Sequence, residues 1–181
     1  MRPLRVLVFA LVLSSNPLVF AQTRALPACA SVSFGVPGTG LSPTVFLRAV
    51  NRIRATPCRC PNQAFPKALP ALVWNAKLAE AALGHSRDMQ RNNFFSHTGS
   101  DGSDLGIRAA RAGYSWSALG ENIAGGQTTM TAVLKAWLSS KSGHCEAMKG
   151  SAYTQMGAAL VKGSASNTLK TYWTLDFGRP R

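Results

Sequence analysis

The chain has 181 residues, a length typical of one domain, and its 20 Lys and Arg against 7 Asp and Glu give a formal net charge of +13. This charge favours an anionic partner, such as a lipid surface or a polymer of the cell envelope. Nucleic acid is the generic partner of a basic protein, but the export signal described next argues against it. Most of the basic side chains are scattered, and we expect them to be solvated.

The first 21 residues predict a secretory signal peptide. A short basic start is followed by an apolar run over residues 6–13, and Val19-Phe20-Ala21 has the small-residue pattern that a signal peptidase prefers. Polar residues interrupt the run well before the roughly 20 apolar residues of a membrane span. We therefore expect cleavage after Ala21, no transmembrane segment, and a secreted or periplasmic protein with a formal charge of +11. Leu26-Pro27-Ala28-Cys29 faintly resembles a lipoprotein cleavage box, so lipidation is a minor alternative.

The cysteine pattern predicts two disulfides, because an even number of cysteines in an exported chain is usually paired. The four are Cys29, Cys58, Cys60 and Cys145. Cys58 and Cys60 are too close in sequence to pair comfortably. One of them therefore joins Cys145 and the other joins Cys29, and the sequence leaves both options open. A zinc site is a weaker alternative, since the Cys58–Cys60 spacing lacks the two-residue gap of a zinc knuckle.

The first half of the chain predicts an irregular arm followed by two helices. Residues 22–40 are rich in Pro, Gly, Ser and Ala, and Ser42-Pro43 then provides an N-cap and a first-turn proline for a helix over 43–55. Residues 58–70, which contain several prolines, predict a loop. Asn75 caps a second helix that runs to about Gln90.

The second half predicts two further helices and a β-hairpin. Asp101 or Ser103 begins a short third helix that stops at Gly113, and a fourth helix runs from Thr128 to Gly143. Residues 153–161 and 168–177 are β-type runs joined by a turn-rich connector. Helices followed by a small antiparallel sheet indicate an α+β layered domain.

Three residues far apart in sequence carry the groups best suited to chemistry. His97 ends the aromatic stretch Phe94-Phe95-Ser96-His97, Glu121 lies within Gly120-Glu121-Asn122-Ile123-Ala124, and His144 follows the fourth predicted helix. A half-buried carboxylate needs a partner. Two imidazoles and a carboxylate could hold a divalent metal with an open position, or act as a general acid and base. The alternative for His144 is a favourable interaction with the helix C-terminal dipole.

Other candidates for chemistry are weaker. His85 lies on the apolar stripe of the second helix, where a hydrogen-bonded core histidine is the better interpretation. Ser96 adjoins His97, but sequence neighbours seldom point at each other, and the chain has no Gly-x-Ser-x-Gly nucleophile elbow. The cysteines are expected to be oxidised, so none serves as a nucleophile. The sequence therefore assigns no catalytic residue.

An ordered set of short motifs from Leu41 to Gly178 resembles the CAP superfamily of cysteine-rich secretory, venom antigen and pathogenesis-related proteins, in its bacterial secreted branch. The motifs, in chain order, are Leu72-Val73-Trp74-Asn75, His85-Ser86, Asn93-Phe94-Phe95-Ser96-His97, Gly120-Glu121-Asn122-Ile123-Ala124, Trp137, Gly143-His144, Tyr153-Thr154-Gln155-Met156-Gly157 and Leu175-Asp176-Phe177-Gly178. The resemblance implies a CAP (SCP) domain over residues 41–181, folded as a three-layer α-β-α sandwich with a small antiparallel sheet and a cleft.

The resemblance also implies a site. The family cleft in eukaryotic members holds two His and two Glu that can bind a divalent metal such as zinc. His97 and Glu121 match one residue of each kind, but Ser140 and Ala152 stand where the other Glu and His fall. The bacterial branch carries a Gly-His after the helix, so His144 is expected to supply the second imidazole.

The resemblance leaves three functions open. The first is a non-enzymatic protein that binds a ligand or extracellular partner through the His/Glu-lined cleft, the partner being a lipid, a sterol or an anionic cell-envelope polymer. The second is a metal-assisted hydrolase acting on peptides or cell-wall material. The third is a structural pairing of His97 with Glu121 that only holds loops in place. Fold alone does not choose among them.

Overall fold

The structure is a computed structural model that describes residues 25–35 and 40–181. The predicted signal peptide, residues 1–21, and parts of the predicted N-terminal arm lie outside the described residues. A single turn of 3-10 helix, Cys29–Ser31, lies in the described part of the arm. Across the described ranges, no helix combines the length and apolar character needed to cross a bilayer.

Five helices follow the arm. They are α1 (Pro43–Ala55), α2 (Ala76–Arg91), α3 (Leu105–Arg111), α4 (Met130–Ser139) and α5 (His144–Met148). Helix α1 has the predicted bounds, and the Asn75 side chain caps α2 by accepting from the backbone N–H groups of residues 77 and 78. The caps of α3 and α4 are Asp104 and Thr129 rather than the predicted Asp101, Ser103 and Thr128, since the Asp104 and Thr129 side chains accept from the first-turn N–H groups.

Within the described residues, six strands form two sheets. A two-stranded sheet pairs β1 (Cys58–Arg59) with β2 (Ala64–Phe65) inside the predicted loop. The main sheet has the order β3-β5-β6-β4, built from β3 (Val73–Trp74), β5 (Gln155–Lys162), β6 (Thr171–Pro180) and β4 (Trp116–Gly125). The predicted hairpin is the antiparallel pair β5 and β6, whereas β3 runs parallel to β5.

Helices cover both faces of the main sheet, as expected for an α-β-α sandwich. Alternate β6 residues point to opposite faces. Trp173, Leu175 and Phe177 join the main hydrophobic core with α1, α4 and α5, whereas the Thr174 hydroxyl bonds to Ser86 on α2. Gly157 lets α2 approach β5 closely, because a Cβ there would overlap the α2 backbone. The domain thus has an α1/α4/α5 face and an α2/α3 face.

The disulfides join Cys29 to Cys58 and Cys60 to Cys145. This pairing resolves the two options that the sequence left open. It ties the arm to β1, and the segment after β1 to α5. All four cysteines are oxidised, so the zinc alternative for them is wrong.

Two buried cations join α1 to α5 on the α1/α4/α5 face. The Lys149 ammonium donates to three carbonyl oxygens at the end of α1, those of Ile53, Arg54 and Thr56, at 2.8–3.1 Å. The Arg54 guanidinium donates to the carbonyls of residues 70, 148 and 150. Burial and the nearby Arg54 lower the pKa of Lys149 to about 8. These cations satisfy helix-end carbonyls that would otherwise be buried without partners.

Candidate functional site

Glu121 lies in the middle of β4, the edge strand of the main sheet, and its side chain points to the α2/α3 face. Both of its carboxylate oxygens have partners. His97 Nδ1–H donates to Oε1 at 2.7 Å, and Arg108 Nη2–H donates to Oε2 at 2.7 Å. The carboxylate side chain is only 4% exposed, whereas the His97 side chain is 56% exposed. The structure therefore brings together the two residues that the sequence singled out, and adds an arginine to them.

These partners keep Glu121 ionised. Burial raises the pKa of Glu121, but the hydrogen bond from His97 and the charge of Arg108 lower it by more, so the net pKa lies below its ordinary value. Arg108 is itself only 7% exposed, and its Nη1 donates to the carbonyl oxygens of His97 and Ser103. Arg108 and Arg54 are buried exceptions among the scattered basic residues, most of which we expected to be solvated.

A second acid, Asp176, lies directly opposite Glu121 on β6. It is fully buried, and neither of its carboxyl oxygens has a hydrogen-bond partner among the described residues. Burial and the negative charge of Glu121 raise the pKa of Asp176 well above its ordinary value, which favours its protonated form. The pKa values of these two adjacent carboxyl groups are therefore shifted in opposite directions.

His85 is a hydrogen-bonded core histidine, as the sequence predicts. Its Nε2–H donates to the carbonyl of Ser96 at 2.9 Å, and its Nδ1 is buried without a partner among the described residues. Burial lowers the pKa of His85, which favours the neutral ring. Together with Arg108, this residue anchors the backbone on which His97 is carried.

His144 is the first residue of α5, not a residue at the end of α4. Ser139 ends α4, and Gly143 adopts φ 88° as the N-cap of α5, a conformation that favours glycine. The interpretation of His144 as a partner of a helix C-terminal dipole is therefore wrong. Its Nδ1 is hydrogen-bonded to Ser140 Oγ at 2.7 Å. Burial, followed by the charge of His97, lowers the pKa of His144.

The two histidines contact neighbouring residues of β4, an edge strand of the main sheet. Glu121 points to the α2/α3 face and contacts His97, whereas the next residue, Asn122, points to the other face and donates from Nδ2 to the carbonyl of His144 at 2.9 Å. Within the described residues, the only three potential ligand atoms that lie within 4.8 Å of one another belong to disulfide-bonded cysteines. The metal set of His97, Glu121 and His144 stays a prediction.

Ser140 and Ala152, the two positions that depart from the family pattern, each form a hydrogen bond. The Ser140 hydroxyl bonds to the His144 ring, as described above. Ala152 is exposed, and its carbonyl accepts a hydrogen bond from Arg179 at 2.6 Å. Sequence reasoning missed Arg108 and Asp176 as members of the site. Asp176 did carry a signal, because it is a lone acid within the apolar run Tyr172–Phe177.

Comparison with known proteins places this site in a family. The profile of the CAP cysteine-rich secretory protein family matches residues 47–177. The chain is 37% identical over 92 residues to the uncharacterized membrane protein YlbC of Bacillus subtilis, a match that covers 51% of this chain and 26% of YlbC. It is also 32% identical over 110 residues to the uncharacterized protein YkwD of the same organism, covering 60% of this chain and 40% of YkwD.

Solved structures agree with the family match. An extracellular protein containing an SCP domain from Bacillus anthracis superposes with a TM-score of 0.60 at 30% identity, covering 76% of this chain and 40% of that protein. An outer surface protein of Borrelia burgdorferi superposes with a TM-score of 0.55 at 23% identity, covering 62% of this chain and 80% of that protein, which shows a shared fold. The chain thus spans less than half the length of its Bacillus relatives, and it belongs to the CAP, or cysteine-rich secretory protein, family.

Proposed function

We propose that this CAP-domain protein is exported and binds an anionic lipid or polymer of the cell envelope through the cleft around His97, without catalysing hydrolysis. Its extracellular destination is supported by the signal-like N-terminus and by the extracellular and outer-surface relatives. The rest of the proposal depends on what the cleft offers to a ligand.

The engagement of Glu121 is the observation that carries the proposal. A general base needs a carboxylate that can accept a proton from water or substrate. Here one carboxylate oxygen is held by His97 and the other by a nearly buried guanidinium, and both bonds are 2.7 Å long. The lowered pKa further reduces the tendency of Glu121 to accept a proton. The geometry thus suits orientation of the imidazole better than proton transfer.

The exposed side chain of the candidate site suits an anion. His97 is the exposed member of the site, and the two oxygens of Glu121 turn inward to His97 and Arg108. The chain carries a large excess of basic residues, which attracts anionic surfaces over distances comparable to the Debye length. When its Nε2 also carries a proton, an exposed imidazole in a basic protein can donate to a phosphate or carboxylate group.

The proposal is tested by vesicle binding. The purified exported protein is expected to co-sediment with vesicles containing phosphatidylglycerol, to release at high salt, and not to bind vesicles of phosphatidylcholine alone. His97→Ala should weaken binding, while Thr98→Ala, at the adjacent exposed position, should not. An anionic polymer such as heparin, added as a competitor, distinguishes charge recognition from insertion into lipid. Hydrolysis of a peptide or cell-wall substrate that disappears in Glu121→Gln would overturn the proposal.

A second candidate, a metal-assisted hydrolase, is favoured by the orientation of the two imidazoles. Each has Nδ1 hydrogen-bonded, to Glu121 in one case and to Ser140 in the other, which leaves Nε2 as the nitrogen that could ligate a metal. A carboxylate bound to one ring nitrogen commonly orients a histidine whose other nitrogen ligates metal. In this arrangement His97 and His144 would hold zinc and Glu121 would orient His97, since a guanidinium on Glu121 disfavours a second cation there.

Calorimetric titration with Zn²⁺ tests this candidate. If zinc is held by the imidazoles, binding should be lost in both His97→Ala and His144→Ala and retained in His85→Gln. Zinc binding that persists in either alanine variant, or no zinc binding by the unsubstituted protein, contradicts it.

A further inference from the structure

The charged residues are divided unevenly between the two faces of the main sheet. All seven acidic residues follow residue 79 in the sequence, and five of them lie on or beside α2, α3 and β4. These five are Glu80, Asp88, Asp101, Asp104 and Glu121. Helices α2 and α3 also carry five basic residues, so the two signs of charge balance on that side. Among α1, α4, α5, β1, β2 and the described part of the arm, Glu146 is the only acidic residue.

Five exposed basic residues lie on the outer elements of the α1/α4/α5 face and together form the α1/α4 basic surface. They are Arg48 and Arg52 of α1, Arg59 of β1, Lys135 of α4 and Lys141 of the turn after α4. None of the five forms an ion pair with another described residue. Their charges are therefore open to a ligand.

Contacts between α1, α4 and the arm place these residues in one layer. The rings of Phe46 on α1 and Trp137 on α4 pack with their centroids 6.4 Å apart. The arm contacts both helices, since Arg52 Nε–H donates to the carbonyl of Ser33 at 2.8 Å and the turn Cys29–Ser31 packs against α4. The exposed sides of α1 and α4 therefore belong to the same outer surface.

Strand β1 and the turn after α4 join the same layer. Arg59 forms a β-bridge with Ala28 of the arm, and it lines a surface cavity together with Leu138 of α4. The carbonyl of Lys141 accepts a hydrogen bond from Asn62 Nδ2 at 2.9 Å. Arg59 and Lys141 therefore extend the positive charge of α1 and α4 across the arm.

Glu146, the acid on this face, does not neutralise the surface. Its Oε1 accepts from the backbone N–H of Asn62 at 2.9 Å, and its Oε2 is buried. Neither oxygen contacts one of the five basic side chains in the described structure. The surface therefore keeps its full positive charge.

The form of the surface favours a linear polyanion. Arg48 and Arg52 are four residues apart, about 6 Å along the helix axis, so they can contact successive charges of one polymer. The planar guanidinium group matches the oxygens of a phosphate in a bidentate manner. The exposed large apolar side chains of the described residues are Val73, Phe95 and Ile107, and none of them belongs to the elements of this surface. The surface thus lacks the apolar groups that insert into a bilayer.

We propose that the α1/α4 basic surface binds a linear polyanion whose repeating units carry phosphate. Helices α1 and α4 cover the face of the main sheet opposite to α2 and α3, so this surface is separate from the His97–Glu121 pair. The proposal goes beyond the function proposed above and holds whether or not the cleft around His97 binds a ligand. Each phosphate contact releases counterions, so the affinity falls steeply as salt increases.

Fluorescence anisotropy of labelled linear polyphosphate, titrated with the exported protein at several salt concentrations, tests the proposal. Arg48→Gln/Arg52→Gln should weaken binding about tenfold at low salt, and should lower the slope of log affinity against log salt by about 1–1.5, as expected for two lost phosphate contacts. Arg48→Gln/Lys135→Gln should weaken binding similarly and keeps the Arg52–Ser33 hydrogen bond. Glutamine is a good helix former, and the melting temperature of each variant verifies that it is folded.

Arg87→Gln/Arg91→Gln is the matched control. Both arginines are exposed on α2 with the same four-residue spacing, so the charge change is identical, but acidic residues are their neighbours. This variant and His97→Ala should bind polyphosphate nearly as well as the unsubstituted protein.

The proposal is overturned if the protein does not bind polyphosphate at low salt, or if the α2 pair or His97→Ala weakens binding as much as the α1 pair does. It is also overturned if Arg48→Gln/Arg52→Gln loses binding to phosphatidylglycerol vesicles but keeps its affinity for polyphosphate, because the surface would then dock on a bilayer.

Discussion

The two faces of the main sheet contain different buried polar groups. On the α1/α4/α5 face, Lys149 and Arg54 are buried cations whose donors reach backbone carbonyls, and both disulfides lie there. On the α2/α3 face, Asp176, His85, Arg108 and Tyr114 each keep at least one buried polar atom without a partner in the described structure. The buried cations of the first face are satisfied and these groups of the second are not, although Asn122 Oδ1 and Glu146 Oε2 on the first face also lack partners among the described residues.

This difference separates stability from function. A fully satisfied buried network fixes one conformation, whereas unpaired buried groups lower stability and persist where another requirement maintains them. His97, Glu121 and Arg108 of the candidate site lie on the α2/α3 face, whereas His144 belongs to α5. Substitutions on the two faces should therefore change the free energy of unfolding by amounts that differ in sign and in size. Four substitutions test the comparison, from the largest expected effect to the smallest.

Removing the disulfide between Cys60 and Cys145 should have the largest effect. The cross-link joins residues 85 positions apart, and the chain-entropy relation gives about 4–5 kcal/mol for a loop of that length. The double variant Cys60→Ala/Cys145→Ala should lose about that much free energy of unfolding in urea titration. The matched variant Cys29→Ala/Cys58→Ala, with a separation of 29, should lose about 3–4 kcal/mol. A smaller loss for the longer loop would contradict this order.

Lys149→Met should cost about 3 kcal/mol, because three buried carbonyls at the end of α1 lose their donor. Differential scanning calorimetry should show a melting temperature lower by roughly 6–12 °C, at about 2–4 °C per kcal/mol. Lys135→Met, at an exposed position of α4, is the control and should change the melting temperature little. Equal changes of melting temperature in the two variants would show that the buried ammonium of Lys149 does not stabilise the α1/α4/α5 face.

Asp176→Asn should stabilise the protein at pH 7. The folded pKa of Asp176 is raised, so its favourable contribution is complete below the unfolded pKa of about 3.9 and is lost as the pH rises toward the folded pKa. Asn does not titrate and avoids this loss. Urea titration should show a gain at pH 7 that disappears near pH 3. Asp104→Asn, at the exposed cap of α3, makes the same residue replacement at an exposed position and should show no such gain. Destabilisation by Asp176→Asn at pH 7 would mean that an ionised Asp176 is needed.

His97→Ala should have the smallest effect on stability, at most about 1 kcal/mol, because its imidazole is largely exposed and Arg108 still holds Glu121. Thermal melting of His97→Ala, with Thr98→Ala as the control, measures this loss of stability. A loss of about 3 kcal/mol or more, the size expected when a buried pair is broken, would favour the structural hypothesis, in which the His97–Glu121 pair only holds the loops in place.

The sequence predicts most of the helical part of the fold because periodicity and caps are local signals. Asn75 and Pro43 mark the starts of α2 and α1 in agreement with the structure. Strand β4 escapes prediction because Gly120, Glu121 and Asn122 break the apolar alternation, and the strand exists through its long pairing with β6. Helix α5 is too short for a periodic signal.

Part of the site is also predictable from local sequence signals. His97 and Glu121 are unusual in their own local sequence, and the family resemblance brings them together. Asp176 and Arg108 belong to the site through contacts between residues that are not neighbours in sequence. The pairing of β4 with β6 places Asp176 opposite Glu121, and the packing of α3 brings Arg108 to Glu121. The cysteine pairing also depends on the fold, which is why residue spacing alone left two connectivities.

The disulfide at Cys145 has a consequence for how the His144 side chain is held. His144 is its direct neighbour, and both belong to a helix of only five residues. In a reducing compartment Cys145 would carry a free thiol, and α5 would be held only by noncovalent contacts. The position of the His144 imidazole is therefore supported by a covalent cross-link at the next residue as well as by its bond to Ser140.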